Sequence, residues 1–194
     1  MQSFRTGLEI CEVIADVKNP KPEIRGIFAD FGKLYATDTK IALSVEIDTE
    51  LEDDDKLENF LRSGALITSH ISQKDLLGMK EADAVFRNRM YIKNQSFGVY
   101  PDVERVLGVS PEHTTINMDD VSLIGGDLIT SIFYIATKGI IIDTFGLGTK
   151  LKKLSKLMGD IREINYTGSR EPVRFVDSYG TVVVIMPIDI KNRR

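Results

Sequence analysis

The chain has 194 residues, 42% of them hydrophobic and 28% charged, with a net charge of −4. That balance excludes a disordered chain and fits one large globular domain or two of about 100 residues each. The acidic balance also excludes nucleic-acid binding through the whole surface and leaves only local basic patches for it.

A single cysteine, Cys11, permits no intramolecular disulfide and suits a reducing compartment. The N-terminus lacks a signal pattern, and the longest apolar segment, 128–136, is too short to span a bilayer. A soluble, cytoplasmic protein is the expectation.

Thr6 and Glu9 have capping-box spacing, and Ile10, Val13, Ile14 and Val17 recur at helical intervals, which predicts a helix over 6–18. Pro20 and Pro22 stop it, and Glu9, Glu12 and Asp16 occupy its opposite face. Residues 24–38 read as two strands around a turn at Asp30-Phe31-Gly32, and 41–47 as a half-buried strand. The dense acidic run 46–58 repels itself and reads as a solvated loop. A short helix is predicted over Ser72–Lys80, with strands at 84–92 and 95–100. Proline, glycine and polar residues cluster over 100–115, which places a domain boundary at 107/108.

In the second half, 123–136 fits either a helix or a pair of buried strands, and 139–144 reads as an isoleucine-rich strand. A helix over 150–158 sets Leu151, Leu154, Leu157 and Met158 against Lys150, Lys152, Lys153 and Lys156. Strands follow at 161–166, 172–176 and 181–188. Proline fits a sheet poorly, so residues beyond Pro187 are expected to leave it as an exposed tail. Each half thus holds a strand, a short helix and two or three strands, a weak repeat of architecture.

Catalytic signals are sparse. Asp30-Phe31-Gly32 lacks the partner motifs of a kinase, and Gly146–Lys150 lacks phosphate-loop spacing. His70 and His113 lie apart and without cysteine neighbours, so neither a metal site nor a catalytic triad is supported. No catalytic residue, metal or cofactor is expected.

Three segments together resemble the bacterial DNA sliding clamp, the processivity factor of replicative DNA polymerase. They are Ala36-Thr37-Asp38-Thr39-Lys40, Tyr100-Pro101-Asp102-Val103-Glu104-Arg105-Val106-Leu107 and Val183-Val184-Ile185-Met186-Pro187-Ile188. The resemblance covers most of the chain in order and spacing and is poorest over 108–138. It implies an α+β, DNA-clamp-like fold of two domains, 1–107 and 108–194, each a curved antiparallel sheet with short helices on one face. The first is similar to the middle domain of the bacterial clamp, and the second is abridged.

The resemblance also implies a function without catalysis: tethering a polymerase or another partner to duplex DNA. The implied peptide groove comprises Thr37, Thr39, Lys40, Ile41 and Leu43 with Met186, Pro187 and Ile188. The family's glycine and histidine-arginine pair are replaced here by Thr39, Lys40 and Ile41. The implied DNA-facing residues are Lys74, Lys80, Lys150, Lys152, Lys153 and Lys156, which would touch backbone phosphates without reading sequence. Two clamp-like domains per chain imply a homo-trimer if six complete a ring. Two other readings stand beside it: a clamp-fold interaction module that forms no ring, favoured by the acidic first helix, and a small α+β enzyme with an unrecognised site.

Overall fold

The computed structural model describes residues 1–15, 19, 21, 24, 26–48, 65–68, 84–86, 89–93, 100–108, 110–121 and 126–188, the three segments between 65 and 93 by backbone alone. Four α-helices, a short 3-10 helix at Met118–Asp120 and ten strands occur in the described residues. Helix α1 spans Phe4–Ile14. Strands β1 (Ile27–Asp30), β2 (Lys33–Thr37), β3 (Ile41–Glu46), β4 (Ala65–Thr68), β5 (Ala84–Phe86) and β6 (Arg89–Lys93) follow. Helix α2 (Val103–Leu107), strand β7 (Thr114–Asn117), helices α3 (Leu128–Ala136) and α4 (Gly148–Leu157), and strands β8 (Ile161–Tyr166), β9 (Val173–Asp177) and β10 (Val182–Ile185) complete the chain order.

All ten strands join one antiparallel sheet in the order β5-β6-β4-β1-β2-β3-β10-β9-β8-β7. Every strand before the expected 107/108 division lies on one side of the sheet and every strand after it on the other. The seam is β3 against β10, with Ala42 opposite Val184 and Leu43 opposite Val183. Sheet and core run continuously across it.

Helix α1 begins and ends earlier than its periodicity suggests. Ser3 is the N-cap, its Oγ accepting from the Thr6 amide at 3.3 Å, so Thr6 lies inside the helix and does not cap it. The helix closes at Ala15, before the prolines act. The turn between β1 and β2 has Phe31 at φ 48° and Gly32 at φ 76°. Two left-handed residues give the twist that a two-residue hairpin needs.

Helices α1, α3 and α4 share one face of the sheet and one apolar core. Phe4, Ile10 and Ile14 of α1, Leu128 and Ile135 of α3, and Leu151 and Leu154 of α4 meet Leu34, Leu43, Phe175 and Val183 from the strands. Gly7 lets α1 approach closely, since a β-carbon there would collide with the Ile47 side chain. Among the described residues the opposite face is covered by α2 alone, where Tyr100, Val103 and Leu107 pack on Tyr35, Ala42 and Val184. Ile41 through Val45 are consequently all buried, and β3 is not the half-buried strand its alternation suggests.

The ambiguous segment at 123–136 resolves into α3, because Asp127 caps it: its Oδ1 accepts from the amides of Ile129 at 2.8 Å and Thr130 at 3.1 Å. Gly139, at φ 81°, then turns the chain, and 139–144 is not a strand. Only Ile142 of that segment forms a bridge, to Pro187. The tail correspondingly does not leave at Pro187. The Met186 amide donates to the Lys40 carbonyl at 3.0 Å and the Ile188 amide to the Ile141 carbonyl at 2.7 Å. The missing proline donor falls between two satisfied ones. The acidic run beyond Asp48, the expected helix at 72–80 and the expected strand at 95–99 lie outside the described residues.

Candidate functional site

The turn between β2 and β3 is held by short side chains bonding to its own backbone. Thr37 Oγ1 donates to the Ile41 carbonyl at 3.0 Å and accepts from the Thr39 amide at 3.2 Å. Asp38 Oδ1 accepts from the amides of Lys40 at 2.9 Å and Ile41 at 2.8 Å, and its Oδ2 accepts from Lys150 Nζ on α4 at 2.5 Å. These bonds hold Thr39 at φ 77°, a left-handed conformation that costs a β-branched residue on the order of 1–3 kcal/mol. Thr39 stands where the resemblance places the family's glycine, the residue that adopts this conformation most easily.

Helix α2 forms the facing wall. Asp102 caps it, accepting from the Arg105 amide at 3.1 Å. A polar clasp ties it to the sheet: the Tyr35 hydroxyl donates to Glu104 Oε1 at 2.6 Å, and Lys33 Nζ reaches the same oxygen at 3.0 Å. Those two donors hold the Glu104 carboxyl below its ordinary range, the Tyr35 bond contributing most. Burial, reinforced by the bond to Glu104, pushes the Tyr35 phenol up. Beside the clasp, the Tyr100 ring stacks on Phe28 with centroids 4.8 Å apart.

Between turn and helix lies a groove of about 360 Å³. Thr37, Thr39, Lys40, Ile41 and Ala42 form one side, and Pro101, Val103 and Val106 the other. Val184 and Met186 of the β10 segment close it, with Lys21 and Ile24 at its rim. Five of the eight expected groove residues therefore come together: Thr37, Thr39, Lys40, Ile41 and Met186. Leu43 does not join them, because it is fully buried in the core beneath the helices. Pro187 and Ile188 pair with 141–142 and do not line the groove. Ala42, Val184 and the α2 residues were not anticipated as lining. Strand parity was the available signal, since Ala42 and Leu43 must face opposite sides of β3.

The lysine-bearing helix α4 sits on the other face of the sheet. Lys152, Lys153 and Lys156 are exposed, while Lys150 is engaged by Asp38. Neighbouring α1 presents Arg5 paired with Glu9 at 3.2 Å. Lys74 and Lys80 lie outside the described residues. Among those residues no three of histidine, cysteine, aspartate and glutamate converge to hold a metal, and no helix is long and apolar enough to cross a membrane.

This α+β fold, an antiparallel sheet with a few helices, is similar to that of the bacterial DNA polymerase III beta sliding clamps. The H. pylori beta clamp, solved in complex with diflunisal, matches with a TM-score of 0.51 at 10% identity over 97% of this chain. The beta chain of DNA polymerase III from Streptococcus pneumoniae matches with a TM-score of 0.54 at 12% identity over 95%. The C. crescentus beta sliding clamp matches with a TM-score of 0.50 at 10% identity over 95%. This chain spans 62 to 64% of the length of those clamps. No family model and no curated protein matches the sequence.

Proposed function

We propose that this chain is a sliding-clamp-like processivity factor that performs no catalysis, holds a partner peptide in the groove and rides on duplex DNA. The observation that carries this reading is the groove at the β3–β10 seam, on the sheet face opposite α1, α3 and α4. An apolar trough with a few polar groups suits an extended peptide, and Met186 at its closing edge adapts to different anchors. The exposed Lys152, Lys153 and Lys156 supply weak, sequence-blind contacts to phosphates, as sliding requires.

In this reading residues 1–107 and 108–194 are two clamp-like units, and three chains close a six-unit ring. Among the described residues β5 and β7 are the outer strands of the sheet and come from opposite halves. A head-to-tail contact between those ends is the kind that closes a cyclic ring. A second reading, a groove-binding module that forms no ring, is favoured by the helix face itself. Lys150 is already paired there, and Glu9 and Glu12 lie on α1.

Light scattering across a wide dilution series decides between them. A stable trimer supports the ring, and its retention on nicked circular DNA with loss on linearisation then tests encirclement. A monomer at every concentration rejects the self-assembled ring and leaves the module.

A further inference from the structure

We infer that the groove selects its occupant by charge, taking an extended peptide whose apolar anchor is flanked by aspartate or glutamate. The inference rests on the peptide-groove reading above and deepens it. Among the described residues, the groove's walls are apolar except for Thr37, Thr39 and two amines, Lys21 and Lys40, and no carboxylate lines it. Both lysines are exposed, and among the described residues neither is in an ion pair. Other cations near the groove are engaged: Lys33 pairs with Glu104 at 3.0 Å and Lys150 with Asp38.

A third cation extends the pattern. Val106 and Met186 form a ridge shared with a neighbouring cleft of about 550 Å³, and the exposed Arg105 lies on that cleft's edge. Its guanidinium has no ion-pair partner among the described residues. Arg174, deeper in the cleft, differs in being held by Glu163 at 3.1 Å and Asn165 at 2.7 Å. Among the described residues, unpaired positive charge thus flanks the apolar trough on both sides, with one carboxylate, Glu171, on the neighbouring cleft. The chain as a whole carries a net charge of −4, so this local excess of cations runs against its composition. Apolar walls between them suit aliphatic side chains, and the cations suit carboxylates beside those side chains.

Each exposed pair contributes little alone, and three together raise affinity about tenfold, through a term that salt screens. The test uses fluorescein-labelled nonapeptides sharing a central pair of leucines, flanked on each side by aspartates, asparagines or lysines. Their affinity for the full chain is read by anisotropy at low and high salt. The aspartate peptide is expected to bind about tenfold tighter than the asparagine peptide at low salt, with the gap closing at high salt. The triple variant Lys21→Gln, Lys40→Gln, Arg105→Gln is expected to bind both alike. Lys40→Glu is expected to shift preference toward the lysine peptide. All these positions are exposed, so circular dichroism should report an unchanged fold. Equal binding of aspartate and asparagine peptides overturns charge selection while leaving the groove reading intact. No binding of any peptide removes the groove reading and this inference with it.

Discussion

Among the described residues, one face of the sheet is covered by three helices, the other by a single helix of five residues. On the first face α1, α3 and α4 interlock with the strands around Phe4, Leu43, Leu154 and Phe175, all at most 1% exposed. On the second, α2 buries two side chains, Val103 and Leu107, and is fastened at its rim by the Tyr35–Glu104–Lys33 clasp. The thick face holds the two halves together. The thin face leaves room beside α2, and that room is the groove. In the proposed reading, stability and recognition therefore fall on opposite sides of the same strands, and residues adjacent in sequence serve different ends.

The largest effect should come from Leu43→Ala. Its side chain belongs to the helix-side core, and deleting it should cost about 2–5 kcal/mol, read from urea or thermal unfolding. Peptide affinity of the folded fraction should change little. A selective loss of peptide binding at full stability would place Leu43 in the groove instead.

Glu104→Gln sharpens the comparison from the thin side. The clasp is half exposed and screened by solvent, so the expected loss is about 0.5–1 kcal/mol at neutral pH. The effect should depend on pH. Because the folded carboxyl sits below the ordinary glutamate value of 4.5, its contribution is fully present above that value. It is lost as pH falls through the lowered folded value. Denaturation curves of the two proteins should therefore converge in acid, and a constant gap down to low pH would contradict the clasp.

The smallest effect has the opposite sign. Thr39→Gly removes a β-branched side chain from a left-handed position, at the price of a freer unfolded chain. A net gain of roughly 0.5 kcal/mol is expected as a raised Tm. A lowered Tm would mean that the Thr39 side chain stabilises the turn more than its backbone strain costs.

Much of this architecture could be read from local pattern. Strand β8 falls where predicted, and the hairpin at Asp30-Phe31-Gly32 needs only its turn residues. The helix of 128–136 is hidden by a largely apolar run, and the decisive signals are its cap, Asp127, and the turn glycine, Gly139. For the groove, Thr37 and Lys40 were legible as part of a turn and Met186 as the end of an apolar strand. Choosing Ala42 over Leu43 required the face on which α2 would land. Assigning Val184 required the register of β3 against β10, a pairing between distant segments that no local periodicity encodes. The engagement of Lys150 by Asp38 is likewise a tertiary event between helix and turn.

The β3–β10 seam also sets a schedule for synthesis. As the chain emerges, β2 pairs with one side of β3 almost at once, while the other side waits for a strand made long afterwards. Until β10 arrives, the backbone donors and acceptors along Ile41–Glu46 lie bare on an apolar strand, the kind of edge that recruits other chains. Such distant pairing is slow and leaves intermediates prone to aggregation. Nascent chains halted before Val182 should be the ones that chaperones hold, and release should coincide with the appearance of the last strand.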